Sequence, residues 1–168
     1  STVALAGIAL ALSLAGCDSP QQDLALTLDP SSLDQRFACA DVTVVAATED
    51  GREALFVGIE DGLAAEAAYL GEAVEAVYEL PDPRLTIRRA VGSNVYQGLC
   101  GRDNGQPWRV DERQEAYSGV VTVQLEPSAD GVRVTTDLSG LVLESEEGPG
   151  PVYTLDETRF EGLALDED

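Results

Sequence analysis

Residues 119–138, Gly119 to Glu126 (GVVTVQLE), Pro127 to Gly131 (PSADG) and Val132 to Leu138 (VRVTTDL), decide the fold class. Val121, Val123 and Leu125 alternate with polar or small residues, the period of a strand with one buried face. Ser128-Ala129-Asp130-Gly131 supplies a hairpin turn with Asp-Gly at its end. Val132, Val134, Thr136 and Leu138 continue the alternation on the return strand. Leu141 and Leu143 have the opposite parity, so Ser139-Gly140 must hold a bulge or bend.

The same signals extend in both directions. Asp41 to Ala47 (DVTVVAA) is β-rich, Thr48-Glu49-Asp50-Gly51 turns, and Ala54 to Ile59 (ALFVGI) runs apolar on both faces. That last strand should lie between two covering layers. Asp61 to Leu70 (DGLAAEAAYL) changes to helix composition, with Asp61 as cap and Gly71 as stop. Two readings compete beyond it: a longer helix through Val74 and Val77, or a strand over Val74 to Leu80; Gly71 favours the strand. Pro81-Asp82-Pro83 breaks the chain before a strand over Leu85 to Val91, with Leu85 and Ile87 inward and Thr86 and Arg88 outward. Gly92-Ser93-Asn94 marks a bulge before an expected strand over Val95 to Cys100. Residues 101–116 hold no apolar periodicity. Gly148 to Pro151 forms a loop, and Val152 to Leu165 gives the last strand or two. Seven to nine short strands separated by Gly, Pro and Asp turns predict an all-β fold. The expectation is an antiparallel β-sandwich or flattened barrel with one short helix near 62–70. Leu138 to Glu146 and Phe160 to Asp168 echo each other around a shared Gly-Leu pair, and read as two strands with the same kink.

Composition narrows the chemistry. The 168 residues carry a formal net charge of −21. Such a surface repels phosphate backbones and excludes nucleic-acid binding. All ten basic residues are Arg, and His is absent. Ser-His-Asp hydrolysis, Cys-His chemistry and His-ligated metals are thereby removed. Crowded carboxylates should repel, which raises their folded pKa values and makes added salt stabilising.

The apolar run Val3 to Ala15 carries no charge and is too short to cross a bilayer comfortably. It suits the h-region of a secretory signal, and the charged n-region of such a signal is expected upstream. It ends at Leu14-Ala15-Gly16-Cys17, which resembles the lipobox of bacterial lipoproteins. The resemblance implies cleavage after Gly16 and diacylation of Cys17, usually with a further acyl group on its new amino terminus. The expected organisation is a signal peptide over 1–16, a flexible tether over 17–36, and a domain over 37–168; Leu24, Leu26 and Leu28 alternate, so a short added strand is possible within the tether. Asp18 leaves inner and outer membrane both open, as it does the periplasmic or surface face. In an oxidising envelope, Cys39 and Cys100 remain as an even pair and are expected to form a disulfide; two separate buried thiols are the alternative. The stretches YQGLC (96–100) and SGVVTVQLEP (118–127), with one Trp between them, also resemble acidic lipoproteins of environmental bacteria that have no assigned activity.

The strongest binding candidate is the loop around Trp108, the only Trp, with Asp103, Asn104 and Arg109 beside it. An aromatic plate with amide, carboxylate and guanidinium neighbours suits a sugar or peptide. The competing reading has Trp108 packing over an open end of the domain. Acidic clusters at Glu49-Asp50, Glu60-Asp61, Glu144 to Glu147 and Asp166 to Asp168 lack the spacing of a Ca²⁺ loop, so solvated strand ends explain them. No phosphate loop or nucleophile elbow occurs. The expectation is therefore a monomeric, non-catalytic envelope lipoprotein that uses no cofactor or metal and meets a protein or glycan partner. The alternatives are a carboxylate-based enzyme acting on glycan and a Ca²⁺-binding surface domain.

Overall fold

The computed structural model describes residues 25–39, 42–97 and 105–164. The signal segment, Cys17 and the first part of the tether lie outside the described residues, as do Cys100, Asp103 and Asn104.

Among the described residues nine strands and one helix follow one another: β1 (Leu26–Thr27), β2 (Gln35–Cys39), β3 (Thr43–Ala47), β4 (Glu53–Ile59), α1 (Leu63–Leu70), β5 (Val74–Glu79), β6 (Leu85–Ser93), β7 (Arg109–Ser128), β8 (Gly131–Ser145) and β9 (Tyr153–Ala164). A 3-10 turn at Pro30–Ser32 separates β1 from β2. The all-β class with one short helix is what the residue patterns predict. The strands form a single sheet that curls into a half-barrel. Its neighbours run β1-β9-β2-β3-β4-β6-β7-β5, and β8 pairs with both β7 and β9. The long β7 is shared: its first half pairs with β6 and its second half with β5, while β8 follows its other edge. Pairing is antiparallel except where β1 and β2 meet β9.

Alternation sorts the side chains onto two faces. The concave side gathers Val44, Leu55, Val57, Ile87, Val121, Val123, Leu125, Val134, Leu138, Leu141 and Phe160 into one cluster, joined by Leu63 and Ala67 of α1. Each such Val or Leu contributes about 2 kcal/mol by leaving water. The alternate residues Phe37, Val45, Ala47, Ala54 and Ala90 form a second cluster on the outer face with Val95. Strand β4 is therefore covered on both sides, as its unbroken apolar run requires. Helix α1 ends at Gly71, whose φ of +65° and backbone bond to Ala67 O close the last turn. A strand, not more helix, follows it.

Four expectations are corrected. Residues 25–36 are not wholly tether. Leu26 N and Leu28 N donate to Val152 O and Thr154 O at 2.8 and 2.9 Å on the edge of β9, and Leu33 is buried. The alternation of Leu24, Leu26 and Leu28 allows a short added strand, and β1 is that strand. Asp61 does not cap α1, since Gly62 occupies the cap position without a side-chain bond. Val95 to Gln97 is not strand: Asn94 takes a φ of +49°, and Gln97 N donates to Asn94 O at 3.0 Å, so the chain turns back over the outer face. Finally, β7 begins at Arg109, ten residues before the alternation becomes apolar. In that charged half only Gln114 and Ala116 point inward and are buried.

The bend at Ser139-Gly140 is present. Gly140 has a φ of +60°, and the β7–β8 register shifts between Ser118 and Val120. Its echo at Gly162 has a different cause. A Cβ at Gly162 would lie 2.8 Å from Ala38 Cβ and 2.9 Å from Ala38 N, whereas nothing lies within 4 Å of one at Gly140. Gly140 supplies a left-handed backbone, and Gly162 lets β9 approach β2. Gly140→Ala should thus cost about 1 kcal/mol of conformational strain. Gly162→Ala should cost more, because backbone must move. Urea unfolding of the two variants checks the order, and equal losses would refute the separate roles.

Candidate functional site

The segment that leaves β6 builds the site. After the register shift at Gly92, the chain turns at Asn94 to Gln97 and returns to begin β7 at Arg109. Asn94 Nδ2 donates to Pro107 O at 3.0 Å and ties the two ends of this segment together. Val95 N donates to Gly51 O at 3.0 Å, which fixes the turn to the β3–β4 hairpin. Tyr96 meets Phe37 edge to face at 5.8 Å. The described ends of this segment border a groove of about 490 Å³ on the outer face of β3, β4 and β6.

Register explains the lining. Thr43, Gly58 and Thr86 lie side by side across three strands, as do Phe56 with Arg88 and Ala90 with Arg113. Val95, Gln97, Val110 and Trp108 come from the covering segment and its return. Trp108 is 57% exposed. It does not close an end of the concave core, so the packing reading of this residue is corrected. A large ring left in water beside an apolar wall can stack on a bound ring or chain. Arg109, expected as its partner, is exposed at the start of β7 and pairs with Asp111 at 2.6 Å.

Arginines give the groove its charge. Arg88 is shared between Glu115 at 3.7 Å and Glu146 at 3.4 Å. Arg113 makes no ion pair among the described residues. The described lining contains no Asp or Glu. Arg89 alternates to the concave side and is 8% exposed, where its guanidinium reaches Glu53 at 2.6 Å and Gln114 Oε1 at 2.8 Å. Its Cζ stands 4.3 Å from the centre of the Tyr153 ring. Arg89 is thus fully engaged behind the groove.

A second polar cluster fastens α1 to the sheet. Asp61 Oδ2 accepts from Tyr78 Oη at 2.9 Å and from Arg84 at 3.0 Å. Arg84 also grips both oxygens of Asp82, at 3.0 and 2.8 Å. Burial, and then the bond to Asp61, pushes the Tyr78 phenol up to about 12. The Arg84 hydrogen bonds bring Asp82 down to about 2. Hydrogen bonds from Arg159, Thr48 and Ser31 likewise lower Asp137, Asp50 and Asp29. At these four carboxyls the expected rise from crowding is reversed, because a local donor outweighs the diffuse repulsion.

Among the described residues no three acidic or thiol groups converge to hold a metal. Sequence reasoning missed Phe56, Thr86, Arg88 and Arg113 as groove residues. Their outward positions on β4, β6 and β7 were the available signal, but nothing local marks which strands share a wall. No family model, curated protein or solved structure matches the chain.

The sign of the acid response follows from Asp82. Its folded value lies below the ordinary 3.8, so its contribution is present above about pH 4 and is lost as pH falls toward 2. Tyr78 acts at the other end: its contribution is present below pH 10 and is lost as pH rises through about 12. Arg84→Gln should therefore unfold more readily than the parent at neutral pH and lose that difference between pH 4 and 2. Thermal melts followed by circular dichroism read it; a constant difference down to pH 2 would refute the assignment.

Proposed function

We propose that the chain is a membrane-tethered bacterial envelope lipoprotein whose β domain binds its ligand without converting it, with the groove beneath Trp108 as the seat. The tether rests on Leu14-Ala15-Gly16-Cys17. Two or three acyl chains on Cys17 would hold the domain firmly, whereas one would not. The single observation that carries the binding reading is Trp108, exposed in water yet lining an apolar groove of about 490 Å³. A glycan-cleaving site needs two carboxyl groups facing each other across roughly 5 to 9.5 Å. The described groove lining offers arginine, threonine and glutamine instead. The same lining offers no set of converging oxygens for Ca²⁺.

A disulfide between Cys39 and Cys100 belongs to the same proposal. Cys39 ends β2 at the edge of the described strand. With Cys17 given to lipid, Cys100 is the remaining partner by count. The bridge would pin the covering segment to β2 and add roughly 4 kcal/mol by constraining the unfolded chain. Intact mass with and without reductant decides it.

Cys17→Ser should move the protein out of the membrane fraction or stall it as precursor. Unchanged partitioning with no lipid mass on Cys17 would refute the tether. For the seat, native mass spectrometry of the protein after incubation with an envelope small-molecule extract is the direct measurement. A bound mass that is lost in Trp108→Ala and recovered chemically unchanged supports binding. A converted product would establish an enzyme instead.

A further inference from the structure

We propose that the groove takes a small amphiphilic anion, its ring or chain laid between Phe56 and Trp108 and its acidic group against Arg113. This rests on the groove being a binding seat and adds the charge and shape of what it holds.

Charge complementarity carries the inference. On a chain of net charge −21, carboxylates lie near almost every cation. Arg52, Arg84, Arg88, Arg89, Arg109 and Arg159 all stand in ion pairs. Arg36, Arg113 and Arg133 make none among the described residues. Of those three, only Arg113 lines the groove. It projects from β7 opposite Ala90, a small residue that leaves the wall open beside it. Arg88, two residues along β6, is already held by Glu115 and Glu146, which leaves Arg113 as the groove cation without an ion pair among the described residues. A carboxylate or phosphate there gains a charge-assisted bond to an exposed guanidinium at the rim of the groove. Thr43 and Thr86 hydroxyls at the far wall can hold a single polar group on the ligand.

The rest of the wall selects an apolar body. Phe56, Ala90, Val95 and Val110 give it no charge to meet. A hydrated inorganic anion would leave this surface uncovered, and a neutral apolar compound would leave Arg113 unpaired. The diffuse field of the acidic surface repels anions, yet it fades over about 8 Å at physiological salt. At contact distance the local guanidinium prevails.

The test uses two probes that differ by one anionic group. 8-Anilinonaphthalene-1-sulfonate carries a sulfonate; N-phenyl-1-naphthylamine has the same rings without it. Trp108 is the only Trp, so energy transfer from it reports probe close to the groove. With the full chain, the sulfonate should bind one to one and about tenfold tighter than the neutral probe. Arg113→Gln should abolish that preference, Arg113→Lys should retain most of it, and Phe56→Ala should weaken both probes. Equal affinity in the parent, or a preference that survives Arg113→Gln, would overturn the anion assignment and leave the seat standing. Transfer from Trp108 to neither probe, or binding indifferent to Phe56→Ala, would overturn the seat as well. Concentration-dependent association of the probe-free protein, removed by Arg113→Gln, would make a second copy's acidic surface the occupant and overturn the small-molecule proposal.

Discussion

Strand β4 must be covered on both faces, and the rest of the structure depends on that. Leu55, Val57 and Ile59 point into the concave core, while Ala54 and Phe56 point the other way. A curled sheet covers the first set by closing on itself around α1. It cannot cover the second, which lies on the outside of the curl. The turn at Asn94 to Gln97 does that work, with Val95 in the outer cluster and Tyr96 packed against it. Its cover is incomplete. Ala54 and Val45 are sealed, but Phe56 keeps partial exposure at the wall of the groove. The groove is thus the unsealed margin of a second, smaller core.

The acidic composition acts through pairs and not only as a uniform cloud. Asp82 and Asp137 are each held by both arms of one arginine, which lowers their titration despite the charge around them. Such exposed pairs add little stability individually. Their larger effect is to consume cations at defined places. Arg89 differs because it is buried. Removing Glu53 would leave an unpaired guanidinium against Tyr153, an expensive state in a desolvated site. Gln114 satisfies a further donor of the same group, so the charge is tolerable on the concave side.

Much of this fold was legible in the sequence wherever one face of a strand is apolar. The β7–β8 hairpin reads directly from Val121, Val123, Leu125, Val132 and Val134. The parity change at Leu141 announces the bend at Gly140. Legibility fails where burial depends on a partner distant in sequence. The first half of β7 looks like a charged loop because Gln114 is inward only by virtue of Arg89 on β6. Residues 26–36 look like tether because β9, over a hundred residues later, provides the edge they join. The site divides in the same way. Trp108 stands out as the only residue of its type, but its wall comes from β3, β4 and β6, and register across strands is not written in any local pattern. Arg109 was the expected cation; Arg113, four residues further along the strand, is the arginine that lines the groove and makes no ion pair among the described residues.

Arg113 also shows why net charge is a poor guide to what a site accepts. A net charge describes the field beyond a screening length, where it sets solubility and encounter rates. Within hydrogen-bond reach the sign is set by which side chains face the ligand and whether they already have partners. Here the long-range field repels anions, while the groove presents the Arg113 guanidinium, which pairs with no carboxylate among the described residues. That combination filters in two stages. A highly charged anion is turned away at a distance, whereas one carrying a single charge on an apolar body pays little to approach and gains both the apolar wall and the cation. In the proposed seat, the acidic surface and the groove arginine would act as successive parts of one selection.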